Sequence, residues 1–115
     1  MASNSVTMKR NDRRPFLDVI LQDVDGAALD LTASVSGVSF TMKNLDTDTT
    51  AISASPATII PQTAGMVRYS WAEGDTAEAG TYVGEFQVMY NDGTKLTIPT
   101  STVLSVVILE DYDNA

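Results

Sequence analysis

Two kinds of residue in this 115-residue chain have the types and spacing to do chemistry: paired aspartates, and a cluster of cations near the N-terminus. Asp23 with Asp25, and Asp46 with Asp48, can each be drawn as the two carboxylates of a glycosidase. Both pairs lie in turn sequences, which recruit aspartate for backbone hydrogen bonding. Asp23-Val24-Asp25-Gly26 also opens like a calcium loop. Such a loop needs a bidentate glutamate six residues beyond the glycine, and Thr32 stands there instead. The chain has no histidine, so it lacks the commonest general base, the usual transition-metal ligand and any serine-histidine relay. It has no cysteine, which closes thiolate chemistry, zinc fingers and a disulfide framework. The expectation is a protein that is not an enzyme, with no catalytic residue, no metal and no cofactor.

The cations are Lys9, Arg10, Arg13 and Arg14, four of the seven basic residues, with Asp12 the one acid before Pro15. The rest of the chain carries fourteen acids and three bases, and the net charge is −8. Residues 1–14 show no clear periodicity and read as a flexible basic arm preceding an acidic body. That body should repel nucleic acid, and the arm is the candidate for holding an acidic protein partner. No run approaches the roughly 18 apolar residues of a membrane span, and the N-terminus lacks the apolar stretch of a signal peptide. Neither a nucleic-acid nor a membrane partner is expected.

The elements that must position these residues are strands. In residues 80–99, GTYVGEFQVMYNDGTKLTIP, Tyr82, Gly84, Phe86, Val88 and Tyr90 share one parity and Val83, Glu85, Gln87 and Met89 the other. Asn91-Asp92-Gly93 is a turn with positive φ at Gly93. A three-residue loop there sets Val88 opposite Leu96 and Phe86 opposite Ile98, and Pro99 stops the ladder. Glu78-Ala79-Gly80-Thr81-Tyr82 has the form in which a sandwich tyrosine returns its hydroxyl to the preceding corner, and the cysteine usual in that strand would fall near Gly84.

Leu17, Val19 and Leu21 alternate with Phe16, Asp18 and Ile20 before the turn at residues 23–26. A short strand at residues 28–31 follows, then Val38, Phe40 and Met42. Residues 51–60 read as a weaker edge strand interrupted at Pro56. Val67, Tyr69 and Trp71 share one face, and Trp71 is the expected core anchor. Residues 72–79 have room for one helical turn. Residues 102–109 are apolar on both parities, as in a strand that is central or covered by a partner. Turn signals every eight to twelve residues and no long amphipathic helix predict one all-β domain: an immunoglobulin-like antiparallel β-sandwich over residues 15–110, with an acidic tail at 111–115. Trp71, Tyr82, Phe86 and Gly93 are its expected structural residues.

Read as a whole, the order resembles the immunoglobulin-like domain at the N-terminus of bacteriophage baseplate upper proteins, which also occurs as small free-standing virion proteins. The resemblance covers roughly residues 14–109 and is most specific over 80–99. Gly26, Leu31, Phe40, Gly65, Tyr69, Gly80, Tyr82, Phe86, Asp92, Gly93 and Pro99 match that family's pattern, all as scaffold positions. In such baseplate proteins a longer C-terminal part carries the receptor-binding protein. This chain ends soon after its last strand, so the expectation is a domain working alone.

The resemblance implies a virion protein that packs on other virion proteins in multiple copies, as a tail, baseplate or neck component, made in a bacterial host's cytoplasm. A capsid decoration protein is the first alternative. A carbohydrate-binding adhesion module, with Trp71, Tyr69 or Tyr90 stacked on a sugar, is the second.

Overall fold

The computed structural model describes residues 5–23, 25–32, 34–98 and 104–110. They form eight strands: β1 (Ser5–Lys9), β2 (Leu17–Ile20), β3 (Val35–Asn44), β4 (Thr49–Ile59), β5 (Met66–Tyr69), β6 (Gly80–Tyr90), β7 (Lys95–Ile98) and β8 (Leu104–Leu109). Hydrogen-bonded neighbours follow the order β1-β8-β6-β3-β4-β5-β2, with β7 also on β6. The path doubles over at β4. Its first part pairs with β3, while Thr58 and Ile59 pair with β5, so a large layer (β1, β8, β7, β6, β3) faces a small one (β5, β2). This is an all-β, mostly antiparallel, immunoglobulin-like sandwich.

Alternation decides what lies between the layers. Val38, Phe40 and Met42 from β3, Phe86 and Val88 from β6, and Leu104, Val106 and Ile108 from β8 meet Leu17, Val67 and Tyr69 from the small layer. The centre is aromatic. The Phe40 ring lies 4.8 Å from Tyr69, 4.9 Å from Phe86 and 6.1 Å from Trp71, within the range over which tilted and edge-on rings attract. Trp71 follows β5 and is buried, with Nε1 donating to the carbonyl of Pro15 at 3.0 Å.

The β6–β7 hairpin has the expected register, with Val88 opposite Leu96 and Phe86 opposite Ile98. Tyr90 N donates to Thr94 O at 2.9 Å, and Gly93 N donates to Tyr90 O at 3.0 Å. Gly93 takes φ +89°, which closes the three-residue loop without a side-chain clash. Two residues back along β6 from Phe86, Gly84 faces Leu104, so six residues of the returning chain answer two of β6. Pro99, Thr102 and Val103, read from sequence as a strand stop and a strand start, lie outside the described residues.

Three expectations change and one is refined. Residues 5–14 are no free arm: β1 pairs in parallel with β8 from Ser5 opposite Ser105 to Lys9 opposite Leu109, and it buries Met8 against the core. Residues 1–4 and the acidic tail at 111–115 lie outside the described residues. Residues 28–31 make a single bridge, Ala28 to Gln22, and Leu31 is buried without a strand around it. β4 is an edge in each layer, as its composition suggests: among the described residues, 49–57 pair with β3 alone, and Thr58 and Ile59 pair with β5 alone. Pro56 lies opposite Ser39 with no described strand on its other side, two residues after a bulge in which Ala54, at φ +46°, donates its N–H to Thr41 Oγ1 and the register shifts between Phe40 and Met42. Finally, residues 72–79 form turns in place of a helical turn. Asp75 ties them by accepting from Ala72 N at 2.8 Å and Tyr69 Oη at 2.5 Å.

Candidate functional site

The four N-terminal cations lie against their own domain, and the structure separates them by what each one meets. Lys9 Nζ donates to Glu110 O at 3.4 Å, and Arg10 Nε stands 3.7 Å from Glu110 Oε2. Arg13 Nε donates to the carbonyl of Trp71 at 2.9 Å. The connection between β1 and β2 is pinned too: Asn11 N donates to Thr76 O, and the buried Thr76 hydroxyl donates to Asp12 O, both at 2.8 Å. Arg14 differs. Its guanidinium carbon sits 5.0 Å from the centre of the Phe16 ring, a cation–π distance, and it forms no ion pair with any carboxylate among the described residues.

Arg14 and Phe16 open onto the outer face of the small layer. Because Leu17 and Leu21 point inward, Phe16, Asp18 and Ile20 point outward. Asp18 lies opposite Arg68 and Ile20 opposite Met66, and Ile60 N donates to Met66 O at the next position. Arg68 makes a two-pronged contact with Asp18, Nε to Oδ1 at 2.8 Å and a second guanidinium nitrogen to Oδ2 at 3.0 Å. That contact raises the arginine's pKa above its ordinary value. Arg68 also lies 5.1 Å from the Phe16 ring centre, so one ring carries two guanidinium groups. Sequence reasoning assigned these outward residues no role. The available signal was that Phe16, Ile20, Ile60 and Met66 are apolar on the parity that should face water.

The outer face of the large layer mixes polar and apolar residues. Ser39 lies opposite Gln87 and Thr41 opposite Glu85, all half-buried and polar, while Ser105 lies opposite Val83 and Met89 is exposed. β8, apolar on both parities, is an inner strand between β1 and β6, with Leu109 exposed at its end.

The aspartate pairs are turn residues. Asp23 Oδ1 accepts from Asp25 N at 2.9 Å and Ala27 N at 3.1 Å. Asp46 Oδ2 accepts from Thr81 N at 3.3 Å. Asp48 pairs with Lys43 at 2.6 Å, and the ammonium holds its pKa below the ordinary value. Among the described residues no group of three or more acidic, histidine or cysteine side chains is placed to hold a metal ion.

Of the rings considered for sugar stacking, Tyr69 and Trp71 are buried. Tyr90 is half-buried and lines an open depression with Ser34, Asn91, Asp92 and Thr94. Tyr82 Oη donates to Glu78 O at 2.7 Å, closing the corner before β6, and burial is the main cause of its raised pKa. Phe86 is fully buried.

No protein-family model matches the chain, and no curated protein matches it in sequence. Among solved structures it is similar to CopC from Methylosinus trichosporium OB3b, with a TM-score of 0.51 at 12% identity, over 96% of this chain and 86% of that one. At that identity the likeness establishes the β-sandwich and carries no ligand or activity with it.

Proposed function

We propose that this chain is a non-enzymatic structural protein of a bacteriophage particle that acts by packing on other virion proteins, in the tail, baseplate or neck. The reading is supported by the resemblance over residues 14–109, concentrated in the hairpin of residues 80–99. The net charge of −8 favours protein partners over nucleic acid. Repetition of the chain on a symmetric particle lets individually weak contacts act together. The protein is made in the host cytoplasm and resides in the virion. A capsid decoration protein is the alternative placement.

A glycan-binding module is the second reading. It rests on Tyr90, whose half-buried ring lies beside Asn91 and Asp92 in the open depression.

Gold labelling of a C-terminally tagged chain on purified particles tests the placement. Label at the tail, baseplate or neck is expected, label over the shell favours decoration, and unlabelled particles that lack the chain overturn the reading.

A further inference from the structure

We infer that the outer face of the β2–β5 layer is the docking surface, and that it receives a different protein presenting a carboxylate beside aliphatic side chains. The inference rests on the packing role proposed above and says which face performs it. Four apolar residues point out of this layer: Phe16, Ile20, Ile60 and Met66. None belongs to the core or packs against it. Ile20 is 42% exposed. Outward apolar side chains in one register lose water most readily against a partner.

Charge supplies the second observation. On a chain with fifteen acids and seven bases, this face carries a net positive charge among the described residues, because Asp18 pairs with Arg68 and no described carboxylate pairs with Arg14. Lys9 and Arg10 reach Glu110 and Arg13 uses Nε on the Trp71 carbonyl, whereas Arg14 meets only the Phe16 ring among the described residues, which leaves it the cation most open to an outside acid. Its guanidinium carbon lies 5.0 Å from the Phe16 ring centre, and a planar guanidinium suits two parallel hydrogen bonds to a carboxylate.

Size argues against a self-contained dimer. Three short strands, about 14 Å long and about 14 Å across, present on the order of 200 Å². A stable interface buries about 800 Å² per partner. The face is therefore an anchor whose strength comes from repetition in an assembly.

The test compares one chemical change on two faces. Ile20→Lys and Arg14→Glu alter the small layer. Met89→Lys places the same new charge on the outer side of β6, at a residue 37% exposed. Particles are grown with each full-length variant, and the bound fraction is measured against wild type. Thermal melting and sizing of the free proteins check that each variant folds. The expected result is a loss of about tenfold or more for Ile20→Lys and Arg14→Glu, with Met89→Lys within about twofold of wild type. Equal incorporation of Ile20→Lys and Met89→Lys overturns this inference and leaves the virion reading standing. Absence of wild type from particles removes both. A wild-type dimer in solution that Ile20→Lys converts to monomer shows that the occupant is a second copy, and so overturns the claim of a different partner.

Discussion

Gly84→Ala puts one methyl group where the sandwich has no room. Gly84 lies on the inner face of β6, two residues after Tyr82, where immunoglobulin strands usually carry a disulfide cysteine. Here the Phe40 ring covers the position. A Cβ on residue 84 would stand 2.7 Å from Phe40 Cε1, 2.8 Å from Phe40 Cζ and 3.4 Å from Leu104 Cδ2. The ring cannot give way easily, because Tyr69, Phe86 and Trp71 surround it. Overpacking of this kind costs about 1–3 kcal/mol, and replacing a strand glycine by alanine returns about 0.5–1 kcal/mol. The net is a destabilisation of about 1–2 kcal/mol, or a fall in Tm of about 3–8 °C for a domain of this size. The assay is urea unfolding followed by Trp71 fluorescence, together with a double-mutant cycle. Phe40→Leu alone opens a cavity and destabilises, but combined with Gly84→Ala it should cost about 1 kcal/mol less than the two losses added. A Gly84→Ala variant as stable as wild type, or strictly additive losses, would refute the view that ring packing occupies this site.

Three further outcomes follow from the same geometry. Tyr82→Phe removes the hydrogen bond to the Glu78 carbonyl and should lower stability by about 0.5–1.5 kcal/mol with the fold intact; an unchanged urea midpoint would show that the corner does not depend on it. Met8→Ala should cost about 2 kcal/mol, and deleting residues 1–9 should lower Tm at least as far, because β1 is part of the sandwich; an unchanged melt would restore a free arm. Burial, with the Asp75 carboxylate close by, pushes the Tyr69 hydroxyl up to about 12, above its usual 10. A raised folded pKa stabilises fully below pH 10 and is lost as pH climbs toward 12, so alkaline unfolding should set in over that window and be blunted in Tyr69→Phe. Identical alkaline curves for the two proteins would contradict it.

What could be read from the sequence was local. The β6–β7 register follows from a two-residue alternation and one glycine turn, and the Tyr82 corner from five consecutive residues. What could not be read was pairing across the whole chain. β1 lies beside β8, and nothing in Ser5-Val6-Thr7-Met8-Lys9 reveals that partner. The alternation of Val6 and Met8 was present but short, and the four cations beyond it suggested a solvated leader. Pro56 marks β4 as an edge, but its crossing from β3 in one layer to β5 in the other, at Thr58 and Ile59, depends on residues far apart in the chain. The outward row on the small layer needed the fold, since Ile60 and Met66 meet Ile20 through pairing between separate strands.

The central claim is that this sandwich is a component of a virus particle, and copy number tests it most directly. Quantitative mass spectrometry of gradient-purified particles, scaled to a shell protein, predicts a fixed number of copies per particle. For a tail, baseplate or neck component that number is a small multiple of the tail symmetry, and for a decoration protein it is hundreds. A chain absent from the particles, or present at a level that varies between preparations and washes away, would contradict the account.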